Sequence, residues 1–122
     1  MIGIDLIKIS RMKHMIERFG EKALLRFLSA DEVMLVKNYK TASGFWAAKE
    51  ACSKALGVGI GSKCGFHDIT IYKNLNGTPK LKLSKKIIKR FNITDSSLSI
   101  THDGEYAIAV VALESAAADK IQ

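Results

Sequence analysis

One run constrains the fold of this chain more than any other: FWAAKEACSKALGVGIG, residues 45–61. Its first part has helical spacing. At about 100° per residue, Phe45, Ala48, Cys52, Ala55 and Leu56 fall on one side, with Ala47 and Ala51 beside them. Gly44 and four alanines leave little side chain on that side, so another element must approach the helix closely. The opposite arc carries Trp46, Lys49, Glu50, Ser53 and Lys54. Lys49 and Ser53 stack one turn apart, as do Glu50 and Lys54, the latter in the favoured order for an i,i+4 ion pair. Trp46 on that arc indicates that it does not face plain solvent. Thr41 or Ser43 opens this helix, it runs to about Leu56, and Gly57 stops it.

The remaining elements read as strand, helices, hairpin, helix, hairpin. MIGIDLIKI, residues 1–9, is a strand with Ile2, Ile4 and Leu6 on one face and Gly3, Asp5, Ile7 and Ile9 on the other. Both faces are mostly apolar, which predicts a central strand. Ser10 is the predicted N-cap of a helix from Arg11 that ends at Gly20. A helical run follows over 21–27, and Ser29 with Glu32 forms a capping box for the next helix. DITIYK (68–73) and PKLKL (79–83) are strands joined through an Asn-Gly turn. KKIIKRF (85–91) is a short amphipathic helix. SLSITH (97–102) and YAIAVVAL (106–113) form a second hairpin across Asp103-Gly104. The tail from Ser115 is predicted to fray. The order implies one α+β domain over 1–122, a small antiparallel sheet packed with helices, not a doubly wound sheet.

At 122 residues, 48% of them hydrophobic, the chain can build a core, but an active site would sit on an open face or between subunits. Its longest apolar stretch is far too short for a membrane span. The N-terminal sequence lacks the marks of a signal peptide. Two irregularly placed cysteines make neither a disulfide framework nor a zinc site, so a cytoplasmic location is expected. Nineteen Lys and Arg against twelve Asp and Glu favour polyanionic partners. No basic–aromatic repeat of the RNA-binding type is present.

Three features can carry chemistry. Asp5 lies mid-strand between apolar neighbours, and a carboxylate there needs a cation, hydrogen-bond donors or a metal. A structural salt bridge would serve equally. Glu50 and Lys54 are either a surface pair worth a few tenths of a kcal/mol or part of a site. GVGIG follows a helix rather than preceding one, which rules out Walker and dinucleotide-binding loops. Its glycines permit either a simple loop or a turn whose backbone approaches a phosphate. His102 ends a strand and reads as structural when taken alone. Two separated acids, neighbouring lysines and a glycine turn together suit Mg²⁺ holding a phosphorylated substrate.

At this point the chain resembles the holo-acyl-carrier-protein synthase family, the small bacterial phosphopantetheinyl transferases. GIDLIKISR (3–11), FWAAKEACSKALGVGIG, FHDITI (66–71), NGTPKL (76–81) and SITHDGEYAIAVVALE (99–114) follow the family's order over essentially the whole chain. The resemblance implies transfer of the phosphopantetheine arm from coenzyme A to a serine of acyl carrier protein, with release of 3′,5′-ADP, in support of fatty acid biosynthesis. It implies Asp5 and Glu50 as Mg²⁺ ligands. Lys54 would hold phosphate oxygens, and Lys49 is a weaker candidate for that role. Gly57, Gly59 and Gly61 would lie against the nucleotide, and His102 would contact the nucleotide or its 3′-phosphate. Glu50 and a metal-bound water are both candidates for the general base. The acidic carrier would dock on Arg11, Met15, Arg18 and Lys22. The resemblance further implies a homotrimer with sites between subunits, to which the small size and alanine-rich helix conform. No nucleic-acid or membrane partner is expected. Phe45 departs from the pattern: many family members carry an arginine there that contacts the nucleotide end of coenzyme A, and Lys63 is a candidate replacement.

Overall fold

Gly3 sets how the two main layers meet. The structure, a computed structural model, describes residues 1–116. A Cβ on Gly3 would run into the carbonyl oxygen of Ala51 and stand 2.6 Å from the Ala55 nitrogen. The strand β1 (Ile2–Lys8) therefore lies directly against the helix α4 (Tyr39–Ala55), and the alanine stripe is what admits it. The stripe is covered by the chain's own sheet, so it carries no indication of a subunit contact.

That sheet has three antiparallel strands in the order β1-β5-β4, with β4 spanning Ile93–Asp103 and β5 spanning Tyr106–Ser115. The central strand is β5, not β1 as the apolar pattern predicted. β1 is apolar on both sides because the face of the sheet away from α4 is itself apolar. The register puts Gly3, Val111 and Leu98 in one row facing α4, then Asp5, Ala109 and Ile100, then Ile7, Ala107 and His102. Along this face α4 crosses diagonally. Gly44, near its start, lies against Ile100 and His102 of β4, while Ala51 and Ala55, near its end, lie against β1.

β1 runs straight into α1 (Ile9–Phe19). Ser10 does not cap it: the N-cap is Lys8, and the N–H of Ile9 is satisfied by the carbonyl of Glu105 at 2.8 Å. α2 (Glu21–Leu25) and α3 (Ala30–Val33) follow, the latter with the expected Ser29–Glu32 capping box. α4 starts earlier than predicted, because Asn38 rather than Thr41 or Ser43 caps it, accepting the N–H of Thr41 at 3.0 Å. Ser43 instead donates back to the Tyr39 carbonyl at 2.7 Å. A two-stranded sheet, β2 (Ile69–Lys73) with β3 (Pro79–Leu83), and α5 (Lys85–Phe91) complete the α+β arrangement.

Part of the arc of α4 expected to be polar is covered as well. Lys49 and Ser53 are fully buried, and Trp46 packs edge-on against Phe27 at 5.1 Å between ring centroids and at a tilt against Phe66 at 4.9 Å. Lys49 Nζ donates to the Phe27 carbonyl at 2.7 Å and to Glu32 Oε1 at 2.9 Å, while Glu32 Oε2 accepts the Ile71 N–H at 2.7 Å. The capping-box glutamate thus ties α3, α4 and β2 together. Cys52 and Cys64 are buried and free, and burial pushes their thiols up to about 12 and about 11. The tail lies outside the described residues beyond Ala116. Its start does not fray: the hydroxyl of Ser115 donates to the Phe91 carbonyl at 2.8 Å and Ala116 N–H to that of Asn92 at 3.0 Å.

Candidate active site

Asp5 reaches the α4 face of the sheet because Gly3, two residues earlier, lets β1 come close. Lys54, in the last turn of α4, extends Nζ to Asp5 Oδ1 at 2.9 Å and to the Ile4 carbonyl at 3.2 Å. The Asp5 carboxylate is mostly buried and Lys54 half exposed. The ion pair anticipated between Glu50 and Lys54 is not formed; among the described residues Lys54 pairs with the strand instead. The mid-strand carboxylate thereby has the cation its setting demands.

Glu50 stands one turn before Lys54 and is half-buried. Burial first, and then the charge of Asp5, push its carboxyl above the usual value, against the opposing pull of Lys54 and Arg11. These four groups share one local field, with two carboxylates repelling each other and two cations at their margin. A further cation would relieve that repulsion. Among the described residues no cluster of three His, Cys, Asp or Glu side chains could hold a metal. Two hard oxygen donors suit Mg²⁺, which takes one or two carboxylates and completes its shell from water and phosphate.

The glycine turn adjoins this cluster but offers few donors. Gly57 and Gly59 adopt φ +79° and +68°, which is why they are glycines. Their N–H groups are already used: Gly57 donates to the Lys54 carbonyl at 2.9 Å, Gly59 to that of Ser53 at 3.2 Å, and Gly61 to that of Cys64 at 2.9 Å. A Cβ added at any of the three would nonetheless meet open space. The turn presents bare backbone rather than a nest of free amides.

His102 stands elsewhere. It shares the α4 face with Asp5, but on the opposite edge strand and two residues along, roughly 12 Å away by strand spacing and rise. Its Nε2 lies 3.0 Å from the Lys40 carbonyl, so this nitrogen carries the proton and donates. A hollow of about 190 Å³ opens beside it, lined by Thr41, Gly44 and Phe45 of α4, Lys73 and Pro79 of the hairpin, and Ile100. Lys73 was not anticipated from the sequence; its signal is its pairing with Pro79 across the hairpin next to the NGTP turn. Lys63 does not line the hollow.

On α1 and α2, Arg11, Arg18 and Lys22 are exposed, with Arg18 5.2 Å above the ring of Phe19. Met15 is half-buried against the core. Arg11 alone of these lies within the field of Glu50.

A sequence model described as the 4′-phosphopantetheinyl transferase superfamily matches residues 1–111. The holo-[acyl-carrier-protein] synthase of Sulfurimonas denitrificans is 74% identical over 121 residues, covering 99% of this chain and all of that protein. That of Wolinella succinogenes is 54% identical over 114 residues, 93% of this chain and 97% of its own length. Among solved structures, the Helicobacter pylori synthase in complex with coenzyme A superposes with a TM-score of 0.90 at 47% identity, over 93% of this chain and all of that one. With that model matching residues 1–111 and these relatives covering 93% or more of the chain, the chain belongs to the 4′-phosphopantetheinyl transferase superfamily.

Proposed function

We infer that this chain transfers the 4′-phosphopantetheine arm of coenzyme A to a serine of an acyl carrier protein and releases 3′,5′-ADP, in support of fatty acid biosynthesis. The observation that carries this reading is the meeting of Asp5, Glu50 and Lys54 where α4 ends against β1. In the reaction the serine oxygen forms a bond to the β-phosphorus of the coenzyme A pyrophosphate. The bond from that phosphorus to the bridging oxygen breaks, its electron pair leaves with 3′,5′-ADP, and the serine proton passes to a base.

Asp5 and Glu50 would hold Mg²⁺, which neutralises pyrophosphate charge and steadies the oxygens of the reacting phosphorus. Lys54 would stay with Asp5 and place its ammonium at the phosphate oxygens, where the leaving group gains charge. Glu50, or a water held beside Asp5, would accept the serine proton. Gly57, Gly59 and Gly61 would let the backbone lie flat against the donor. Arg11, Arg18, Lys22 and the edge of Met15 would receive the acidic carrier, with Arg11 at the seam between carrier and metal.

The hollow at His102 would take the nucleotide end of the donor. Because it lies on the far flank of α4 from Asp5, we place the complete site between two subunits of a homotrimer. A second feature favours this: Ile2, Ile4, Leu6 and Val110 are 74%, 58%, 56% and 38% exposed on the sheet face away from α4, an apolar surface suited to burial between copies. The whole chain would act as one transferase domain in the cytoplasm, in keeping with its two free thiols.

Intact-mass spectrometry of an apo carrier incubated with the protein, coenzyme A and Mg²⁺ tests the reading. A gain of one phosphopantetheine, abolished by EDTA, is expected. No gain on a carrier that another transferase can modify would overturn it.

A further inference from the structure

We propose that the groove between β3 and β4 is a docking site for an extended acidic segment of another protein, which adds as a strand along the free edge of β4. The proposal goes beyond the transferase reading and does not depend on it. β3 is an edge of the two-stranded sheet, and β4 is an edge of the three-stranded one. The two edges lie beside each other, yet among the described residues no backbone hydrogen bond joins them. β4 is 11 residues long, and a long unpaired edge is a template for another chain. The groove between the edges holds about 470 Å³. Its apolar lining comes from Leu81 and Leu83 of β3, Ile93 and Leu98 of β4, and Ile88 of α5. The charges fix the sign of the occupant. Lys80 and Lys82 line the β3 side, and both are exposed. Among the described residues neither ammonium enters an ion pair or a side-chain hydrogen bond. Asp95 is the one carboxylate among the lining residues described, and its Oδ1 is turned back on its own strand, accepting the Ser96 N–H at 2.8 Å. α5, which supplies Ile88, adds exposed Lys85, Lys89 and Arg90. A basic occupant would meet repulsion here, and an acidic one complementary charge. The two edges also fix its form. A strand bonds to the unpaired backbone groups of β4 while its alternate side chains meet the apolar lining. A helix satisfies its own backbone and would leave that edge unpaired.

The test is fluorescence anisotropy of a labelled, end-capped peptide of alternating glutamate and valine, titrated with the intact protein. Saturable binding that weakens as salt is added is expected. A matched peptide of alternating lysine and valine should not bind. Lys80→Gln combined with Lys82→Gln should weaken the acidic peptide by roughly tenfold, the scale of two exposed charge pairs, with the thermal midpoint unchanged. Ile88→Gln should weaken it through the apolar lining alone. Amide hydrogen exchange locates the contact: the bound peptide should protect N–H groups of β4 over residues 94–98. Absence of saturable binding, equal binding of the two peptides, full affinity in the paired lysine variant, or protection away from β4 would each overturn the proposal. So would self-association of the peptide-free protein that the paired lysine change abolishes, because a second copy of the chain would then fill the groove.

Discussion

Gly3 and Glu50 show how single residues trade stability against chemistry. A methyl group at Gly3 meets helix backbone, which has no rotamer to yield, so β1 must move away from α4. Gly3→Ala should lower the thermal midpoint by an amount corresponding to about 1–3 kcal/mol of overpacking. Because Asp5 rides on the same strand, its pairing with Lys54 should loosen, and transfer should fall further than the folded fraction does; a variant with wild-type midpoint and rate would show that the contact is not needed. Glu50 carries the opposite balance. Burial and Asp5 raise its carboxyl in the folded state, so above its ordinary value of 4.5 the ionised side chain opposes folding. The penalty is absent below about 4.5, grows as pH rises to the folded value, and is constant beyond it. Glu50→Gln in EDTA should therefore be more stable than the wild type at neutral pH, with the gain vanishing on acidification, yet inactive when metal is supplied. Chemical denaturation across pH reads the first effect and carrier mass the second. A variant that is less stable at neutral pH and still active would remove Glu50 from the site.

At the scale of elements, the flank of α4 away from the sheet is tied down by the buried network around Lys49. Its ammonium, the Glu32 carboxylate, the Phe27 carbonyl and the Ile71 N–H close on one another away from water. Burial lowers the Lys49 pKa, and its pairing with Glu32 only partly opposes this, so the charge is tolerated rather than favoured. Lys49→Met strands the Glu32 carboxylate and should cost about 3–5 kcal/mol in urea unfolding. Adding Glu32→Gln to it should cost far less than the sum of the single changes. Strict additivity would mean that the two side chains do not act as a unit. This network also marks the limit of reading elements from sequence. The stripe of α4, the capping box at Ser29, both hairpins and α5 follow from periodicity and turn chemistry local to each segment, although β4 begins at Ile93 rather than at Ser97. That Lys49 and Ser53 are buried does not, because it depends on α2, α3 and the Phe66 turn folding back over α4. Likewise the types at Asp5, Glu50 and Lys54 announce a site, whereas the partner of Lys54 depends on how near β1 comes. Lys73 escaped notice because nothing in its own segment distinguishes it from the other lysines of the hairpin and α5.

At the scale of the whole molecule, the two flanks of α4 pose a geometric question that assembly would answer. Asp5, Glu50 and Lys54 lie where the helix ends over β1, and His102 with Lys73 lies where it begins over β4. If each chain completed its own site, a donor would have to reach across the helix. If neighbouring chains share sites, each flank serves a different partner, and the apolar rows Ile2–Ala112, Ile4–Val110 and Leu6–Ile108 are the surface that brings them together. Ile4→Lys should then yield a monomer by light scattering and lose transfer, though the Ile4 side chain lies on the sheet face opposite Asp5 and α4. Complementation separates the two arrangements more sharply. Glu50→Gln and a doubly substituted His102→Ala, Lys73→Gln chain should each be defective, on opposite flanks. When the two are co-expressed in equal amounts and assemble at random, about one quarter of shared sites would combine two intact halves. Transfer should recover to that order of the wild-type rate under shared sites and stay at the sum of the separate variants if every site lies within one chain. Recovery would also require that the interface orient one chain's β4 edge toward another's β1 edge. That demands a head-to-tail ring closed by rotation rather than a two-fold pair, which would join like to like.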